Sequence, residues 1–210
     1  MKGKLISFEG GEGSGKSTQS KLLFNYLINK NIPAIHTREP GGTESAEKIR
    51  NILVTGSIDN LDKKTEVLLH YAARLEHMKK VVKPALEKGK IIITDRFYDS
   101  TYAYQGYGHG VEMDYINKIH QLVVGNFKPD LTFIFDIPAL KGLERSEKRH
   151  MQQASNENRY ESMGLEFHER LRNGFLAIAK AEPNRCKVLN AENDIETLHS
   201  KVIEFCKELF

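Results

Sequence analysis

The segment Gly10-Gly11-Glu12-Gly13-Ser14-Gly15-Lys16-Ser17 fits the pattern G-x-x-x-x-G-K-[ST], with a strand-like run before it and an amphipathic pattern after it. Glycines in such a loop let successive backbone N–H groups turn toward phosphate oxygens, and the following helix adds partial positive charge at its N-terminus. Lys16 can reach the outer phosphates of a nucleoside triphosphate, and the Ser17 hydroxyl can hold Mg²⁺. A glycine inside a regular element costs about 0.5 to 1 kcal/mol relative to alanine, so this density of glycine points to a ligand. Asp95-Arg96 closes the run KIIITD. Both side chains therefore emerge at the carboxyl end of a strand, the edge where open α/β sheets bind ligands. A guanidinium fork matches phosphate in geometry and charge.

These groups need a scaffold, and the rest of the chain supplies its parts. KLISFEG (4 to 10), IPAIHTR (32 to 38), KIIITD (90 to 95), DLTFIFD (130 to 136) and CKVLN (186 to 190) read as short strands rich in Ile, Val, Phe and Leu. Between them run helical stripes. One is Leu22, Leu23, Tyr26 and Leu27; a second is Val67, Leu68, Tyr71, Ala72, Leu75, Met78 and Val82; a third is Ile195, Leu198, Val202, Phe205 and Leu209. Each is read as facing the core. Strands alternating with amphipathic helices predict an α/β class with a five-stranded parallel sheet covered on both faces, because parallel pairing requires crossovers long enough to hold a helix. The polar stretch MQQASNENR (151 to 159) is where helical patterning lapses, and it is read as a loop.

Composition narrows the function classes. The 210 residues suit one domain, with 40% apolar and 28% charged side chains. No apolar run approaches the roughly 18 residues of a membrane helix, and the N-terminus lacks the pattern of a signal peptide, so a cytoplasmic protein is expected. A net charge of +3 is too small for the basic field of a duplex-binding domain. Cys186 and Cys206 are read as buried free thiols. The chain contains no N-K-x-D tetrapeptide of the kind that reads guanine, and it is short for a helicase or motor. A small phosphotransferase and a nucleotide-switched binding protein both remain open at this point.

Beyond the phosphate loop, the segments TREPGGT (37 to 43), EVLLHYAAR (66 to 74), DRFYDSTYAYQG (95 to 106) and NRYESMGLEFHERLRNGF (158 to 175) resemble bacterial thymidylate kinase in order and spacing. The resemblance runs from the first strand to about residue 180 and places the chain among phosphate-loop nucleoside monophosphate kinases. It implies ATP- and Mg²⁺-dependent phosphorylation of dTMP to dTDP in dTTP synthesis, by a homodimer whose interface the helix at 64 to 88 would supply. Gly10 through Thr18 would bind ATP. Arg96 would grip the acceptor phosphate with help from Arg50, and Asp95 would act near the metal beside Ser17. Glu12 would approach the sugar 3′-hydroxyl, and Tyr104 would fill the space of a ribose 2′-hydroxyl.

The same resemblance puts Arg74 at the thymine edge, with Thr101 and Gln105 as further polar contacts, and Glu39 in the acceptor pocket ahead of a cis-proline, Pro40. His70 stands where the family usually has a base-stacking phenylalanine; a histidine can still stack there, and a charge gained near pH 6.5 would make nucleotide affinity pH-dependent. Residues 141 to 160 would form the lid. Gly13 occupies the loop position at which one subgroup carries a basic residue, while the lid carries Arg145, Arg149 and Arg159. That combination resembles the bacterial subgroup, with Arg149 as the first choice of catalytic lid cation.

Overall fold

The structure, a computed structural model, describes residues 3–152 and 159–209. The strands are β1 (Lys4–Gly10), β2 (Ala34–Arg38), β3 (Ile91–Asp95), β4 (Leu131–Asp136) and β5 (Cys186–Asn190). They form one parallel sheet in the order β2-β3-β1-β4-β5. Side chains alternate across it, as a strand's period of two requires. Ile6, Phe8, Ile91, Ile93, Leu131, Phe133 and Phe135 point to one face, where Leu23 and Leu27 of α1 (Lys16–Asn29) and Leu198, Val202 and Cys206 of α9 (Ile195–Cys206) cover them.

Leu5 and Ile92 point the other way, onto α3 (Lys63–His77) and α6 (Met113–Val123). Ile134 meets α8 (Leu165–Ala181) on that second face. The remaining helices are α2 (Glu44–Val54), α4 (Lys83–Glu87), α5 (Tyr98–Thr101) and α7 (Ala139–Gln152). Side-chain caps start several of them. Thr43 accepts from the Ala46 amide, Asp62 from those of Lys64 and Thr65, and Asp194 from that of Thr197. Chain register then sets the site. Phe8 lies opposite Asp95, and the Arg96 amide donates to the Phe8 carbonyl at 3.0 Å, so β1 and β3 release their next residues side by side at one sheet edge.

The strand expectations hold to within two residues at each start. The helix at 64 to 88 appears as α3 and α4 joined through a π-helical segment, Met78–Val82. Its stripe is narrower than its apolar residues suggest. Val67, Tyr71, Met78 and Val82 are buried, whereas Leu68 and Ala72 face outward, because only a 67/71/78/82 ridge meets the sheet and α6. On α9, Ile195 and Phe205 are likewise exposed and Cys206 takes the core position. Cys186 and Cys206 are free and buried. Helix α7 continues to Gln152, beyond the point where a loop was expected to begin, and the rest of that stretch, 153–158, lies outside the described residues. Among the described residues no helix is long and apolar enough to cross a membrane.

Candidate active site

The loop between β1 and α1 takes a shape that needs glycine. Gly10, Gly13 and Gly15 have φ of 141°, 63° and 87°, values that side chains with a Cβ rarely adopt. Gly13 has a second reason: a Cβ there would sit 2.0 Å from the Gly142 carbonyl oxygen of α7. Helix α7 packs directly on the loop backbone, and this leaves no room for a side chain at Gly13. Helix α1 opens at Lys16 with no side-chain cap, so its first N–H groups remain available to an anion. Lys16 is buried and donates to the Gly11 carbonyl at 2.8 Å. Burial and the Arg96 charge push its ammonium down to about 8, against the pull of Glu12, Asp95 and Glu9.

Arg96 holds φ of 68°, a left-handed conformation that costs a non-glycine residue on the order of 1 to 3 kcal/mol. Its guanidinium offsets this with four bonds: Nη1 donates to Gly10 O and Ser100 Oγ, both at 3.1 Å, and Nη2 to Glu12 Oε1 at 3.0 Å and Tyr104 Oη at 2.8 Å. Tyr104 Oη in turn donates to Glu12 Oε1. Burial alone would raise the Glu12 carboxyl, but Arg96, Lys16 and Tyr104 outweigh it and hold it down at about 2. Glu9, at the end of β1, anchors the turn behind Arg96 by accepting from Phe97 N at 2.7 Å and Ser100 Oγ at 2.5 Å. Burial and then Asp99 raise its carboxyl to about 8.

Ser17 Oγ donates to Asp95 Oδ2, which joins the two residues expected near a metal. Among the described residues no cluster of three or more His, Cys, Asp or Glu could hold a metal ion. This donor set of one hydroxyl and one carboxylate fits Mg²⁺, which keeps several waters and binds through one or two protein oxygens plus substrate phosphates.

A second group of side chains lines the far end of the same cavity, whose volume is about 710 Å³. Arg74, 2% exposed, donates from Nε to Glu39 Oε2 at 2.7 Å and from Nη2 to Phe97 O and Thr101 Oγ1 at 3.2 and 3.1 Å. The other Glu39 oxygen meets His77 Nδ1 at 2.9 Å, and His77 Nε2 meets Thr37 Oγ1 at 2.8 Å. Glu39 thus serves the pocket as the anchor of Arg74. Thr101 does not line the cavity; it stands behind Arg74. Two buried atoms at this end have no hydrogen-bond partner among the described residues: the donor Arg74 Nη1 and the acceptor Gln105 Oε1. The peptide bond before Pro40 is cis, and the Pro40 carbonyl accepts from Arg50 Nη1 at 3.1 Å.

The expected pH-dependent charge on His70 is corrected. Burial, followed by the charges of Arg74, Arg96, Arg159 and Arg50, pushes the imidazole down to about 3, so it is neutral across the physiological range. His70 lines the cavity and meets Tyr160 Oη at 3.1 Å.

The three arginines expected in the lid separate by environment. Arg149 lines the cavity, is 45% exposed, and donates to Ser146 Oγ at 3.0 Å. Arg145 donates to the Ala191 carbonyl at 2.8 Å. Arg159, 1% exposed, donates to Ser57 O, Leu53 O, Ile58 O and Glu66 Oε1. It ties the end of the 141 to 160 segment to α2 and α3, and those bonds take it out of consideration as a lid cation.

Of the expected site residues, the cavity joins Glu12, Lys16, Ser17, Thr18, Glu39 and Arg50 to His70, Arg74, Asp95, Arg96, Tyr104, Gln105 and Arg149. It also includes Tyr160, Ser100, Lys21 and Asn25, to which the sequence reading gave no role. Glu9 was legible by the rule applied to Asp95, since it too ends a strand at the ligand-binding edge. Tyr160 carried no such signal: it enters through a turn at the end of the segment read as a lid.

Comparison with known proteins agrees with this geometry. A family model described as "Thymidylate kinase" matches residues 8–202. The thymidylate kinase of Caulobacter vibrioides is 46% identical over 200 residues, covering 95% of this chain and 94% of the relative. That of Wolbachia pipientis wMel is 47% identical, covering 95% and 98%. The crystal structure of thymidylate kinase from Ehrlichia chaffeensis superposes with a TM-score of 0.78 at 38% identity, covering 99% of this chain and all of the other.

Proposed function

This chain belongs to the thymidylate kinase family, and from that premise we propose that it is a cytoplasmic, homodimeric enzyme that transfers the γ-phosphoryl group of ATP to dTMP. The products are ADP and dTDP, the latter destined for dTTP. One observation carries the choice of acceptor: the cavity that holds Lys16 and Arg96 also contains a buried unpaired donor, Arg74 Nη1, and a buried unpaired acceptor, Gln105 Oε1. Thymine offers the complementary pair, an O4 acceptor and an N3–H donor. Leaving both protein atoms unpaired is costly, so a base of this pattern is the occupant that satisfies them.

In this reading residues 1–210 form a single catalytic domain. The Gly10-to-Thr18 loop cradles the ATP phosphates, with Lys16 at the outer ones. Arg96 releases Glu12 and Tyr104 as it takes the acceptor phosphate, and Arg50 assists. Glu12 then receives the 3′-hydroxyl, and Tyr104 fills the place of a 2′-hydroxyl. Ser17 Oγ and the Asp95 carboxylate are the residues that would hold Mg²⁺, Asp95 either directly or through water. When bound, that ion neutralises charge on the β- and γ-phosphates. The attacking group is a phosphate oxygen, ionised at neutral pH, so no residue has to act as general base. Lys16, Arg96 and Arg149 surround the charge that spreads in the transition state. Closure of the lid, 141 to 160, keeps water from taking the phosphoryl group.

The test is acceptor-dependent ADP formation with ATP and Mg²⁺ across dTMP, dUMP, dCMP, AMP, GMP and thymidine. We expect dTMP to lead and thymidine to be inert. Because one methyl group is worth about 10- to 200-fold in a pocket, dUMP should be poorer and still active. Preference for another monophosphate would leave the transfer chemistry standing and remove the base assignment, and no acceptor-dependent turnover would defeat the proposal.

A further inference from the structure

Tyr160 lies at the junction of three polar side chains. Its Oη is 2.6 Å from Glu66 Oε1, 3.1 Å from His70 Nε2 and 3.3 Å from Gln105 Nε2. Hydrogen-bond stoichiometry assigns every proton. A phenol has one proton to donate and lone pairs with which to accept. Glu66 is held by Arg159 Nη1 at 2.8 Å in a pair whose members are each 1% exposed, and it serves as an acceptor, so the Tyr160 proton goes to Glu66. Both other neighbours must then donate to Tyr160. Gln105 is obliged to turn its NH₂ group toward Tyr160, which leaves Oε1 as the buried acceptor without a partner. His70 is obliged to carry its proton on Nε2. Burial and the neighbouring Glu66 keep the phenol protonated, and burial together with the surrounding arginines keeps the imidazole neutral, so neither can reverse the direction of these bonds near neutral pH.

We propose that Tyr160 is a positioning residue for base selection: by sending its proton to Glu66 it fixes the Gln105 amide with oxygen outward, so that the pocket accepts from an N3–H and rejects a base with a bare N3. The proposal rests on the kinase reading above and concerns how the site separates uracil-type from cytosine-type edges. Those edges have the same size and inverted donor and acceptor patterns. Without the phenol, the amide is free to rotate and offer its NH₂ group to the cytosine N3.

The experiment compares kcat/KM for dUMP and dCMP, a pair that carries no methyl group at either base, in wild type, Tyr160→Phe, Gln105→Met and the double variant, with folding checked by circular dichroism. Wild type should favour dUMP. Tyr160→Phe should lower the dUMP-to-dCMP ratio by about tenfold, the scale of one mispaired buried group. Gln105→Met should lower it too, and adding Tyr160→Phe to Gln105→Met should move the ratio no further, because the phenol acts through the amide. A ratio unmoved in Tyr160→Phe, with both substrates slowed alike, would reduce Tyr160 to a packing role and overturn the proposal; an equal further drop in the double variant would do the same. If Tyr160→Phe does not fold, an unchanged ratio in Gln105→Met overturns it alone. A wild type that favours dCMP overturns both this inference and the acceptor assignment, and a wild type with no monophosphate kinase activity defeats the kinase reading itself.

Discussion

At the scale of single residues, the site is a set of charges held in place by one another. Arg96 makes four hydrogen bonds from a strained backbone, and it lies next to the loop without forming it. Arg96→Ala should therefore lower kcat/KM for dTMP by about 10²- to 10³-fold while calorimetry finds ATP binding close to wild type. Equal loss of ATP affinity would show that the arginine serves the donor side. His70, held at about 3 by burial and four arginines, should contribute no ionisation to activity. The pH profiles of wild type and His70→Phe should run parallel between about pH 5.5 and 8, the window in which an ordinary imidazole titrates. A step present in wild type and missing from the variant would contradict that.

At the scale of elements, the ends of β1 and β3 place the chemistry, and Glu9 joins them. Its carboxyl bonds to Phe97 N and Ser100 Oγ at the entry to α5. Its folded value of about 8 lies above the ordinary 4.5, so between these values the folded chain retains a proton that the unfolded chain has lost. The stability Glu9 contributes is thus complete below the lower value and is lost as pH rises through the upper one. Thermal melts of wild type should fall over this window more steeply than those of Glu9→Gln, which has no proton to lose. Parallel melting curves would mean that Glu9 is ionised in the folded state.

The whole molecule raises the question of what covers α3. Leu68 and Ala72 face outward from a helix whose opposite ridge is buried, and an interface between two copies is the proposed cover. Sedimentation should give twice the chain mass of 23.9 kDa, and Leu68→Asp combined with Ala72→Asp should shift the protein to the monomer with the secondary structure kept. A wild-type monomer at micromolar concentration would remove this face as a dimer contact.

The phosphate loop, the five strands and the pair Asp95-Arg96 were legible in the sequence because each is a contiguous run whose local geometry follows from glycine content, β-branched residues and period. Arg74, Gln105, Tyr104 and Arg50 became legible once separate segments matched a known family in order. The sequence alone did not separate Arg159 from Arg149, since both flank the same polar stretch and only tertiary packing buries one against Glu66 and leaves the other in the cavity. Apolar period marked the α3 stripe without showing that Leu68 and Ala72 lie beyond the ridge that meets the sheet. The role of Tyr160 arises from bonds to Glu66 and His70 that span 94 and 90 positions of chain. Contacts between distant segments depend on how the helices settle on both faces of the sheet, and no local pattern in the chain encodes that.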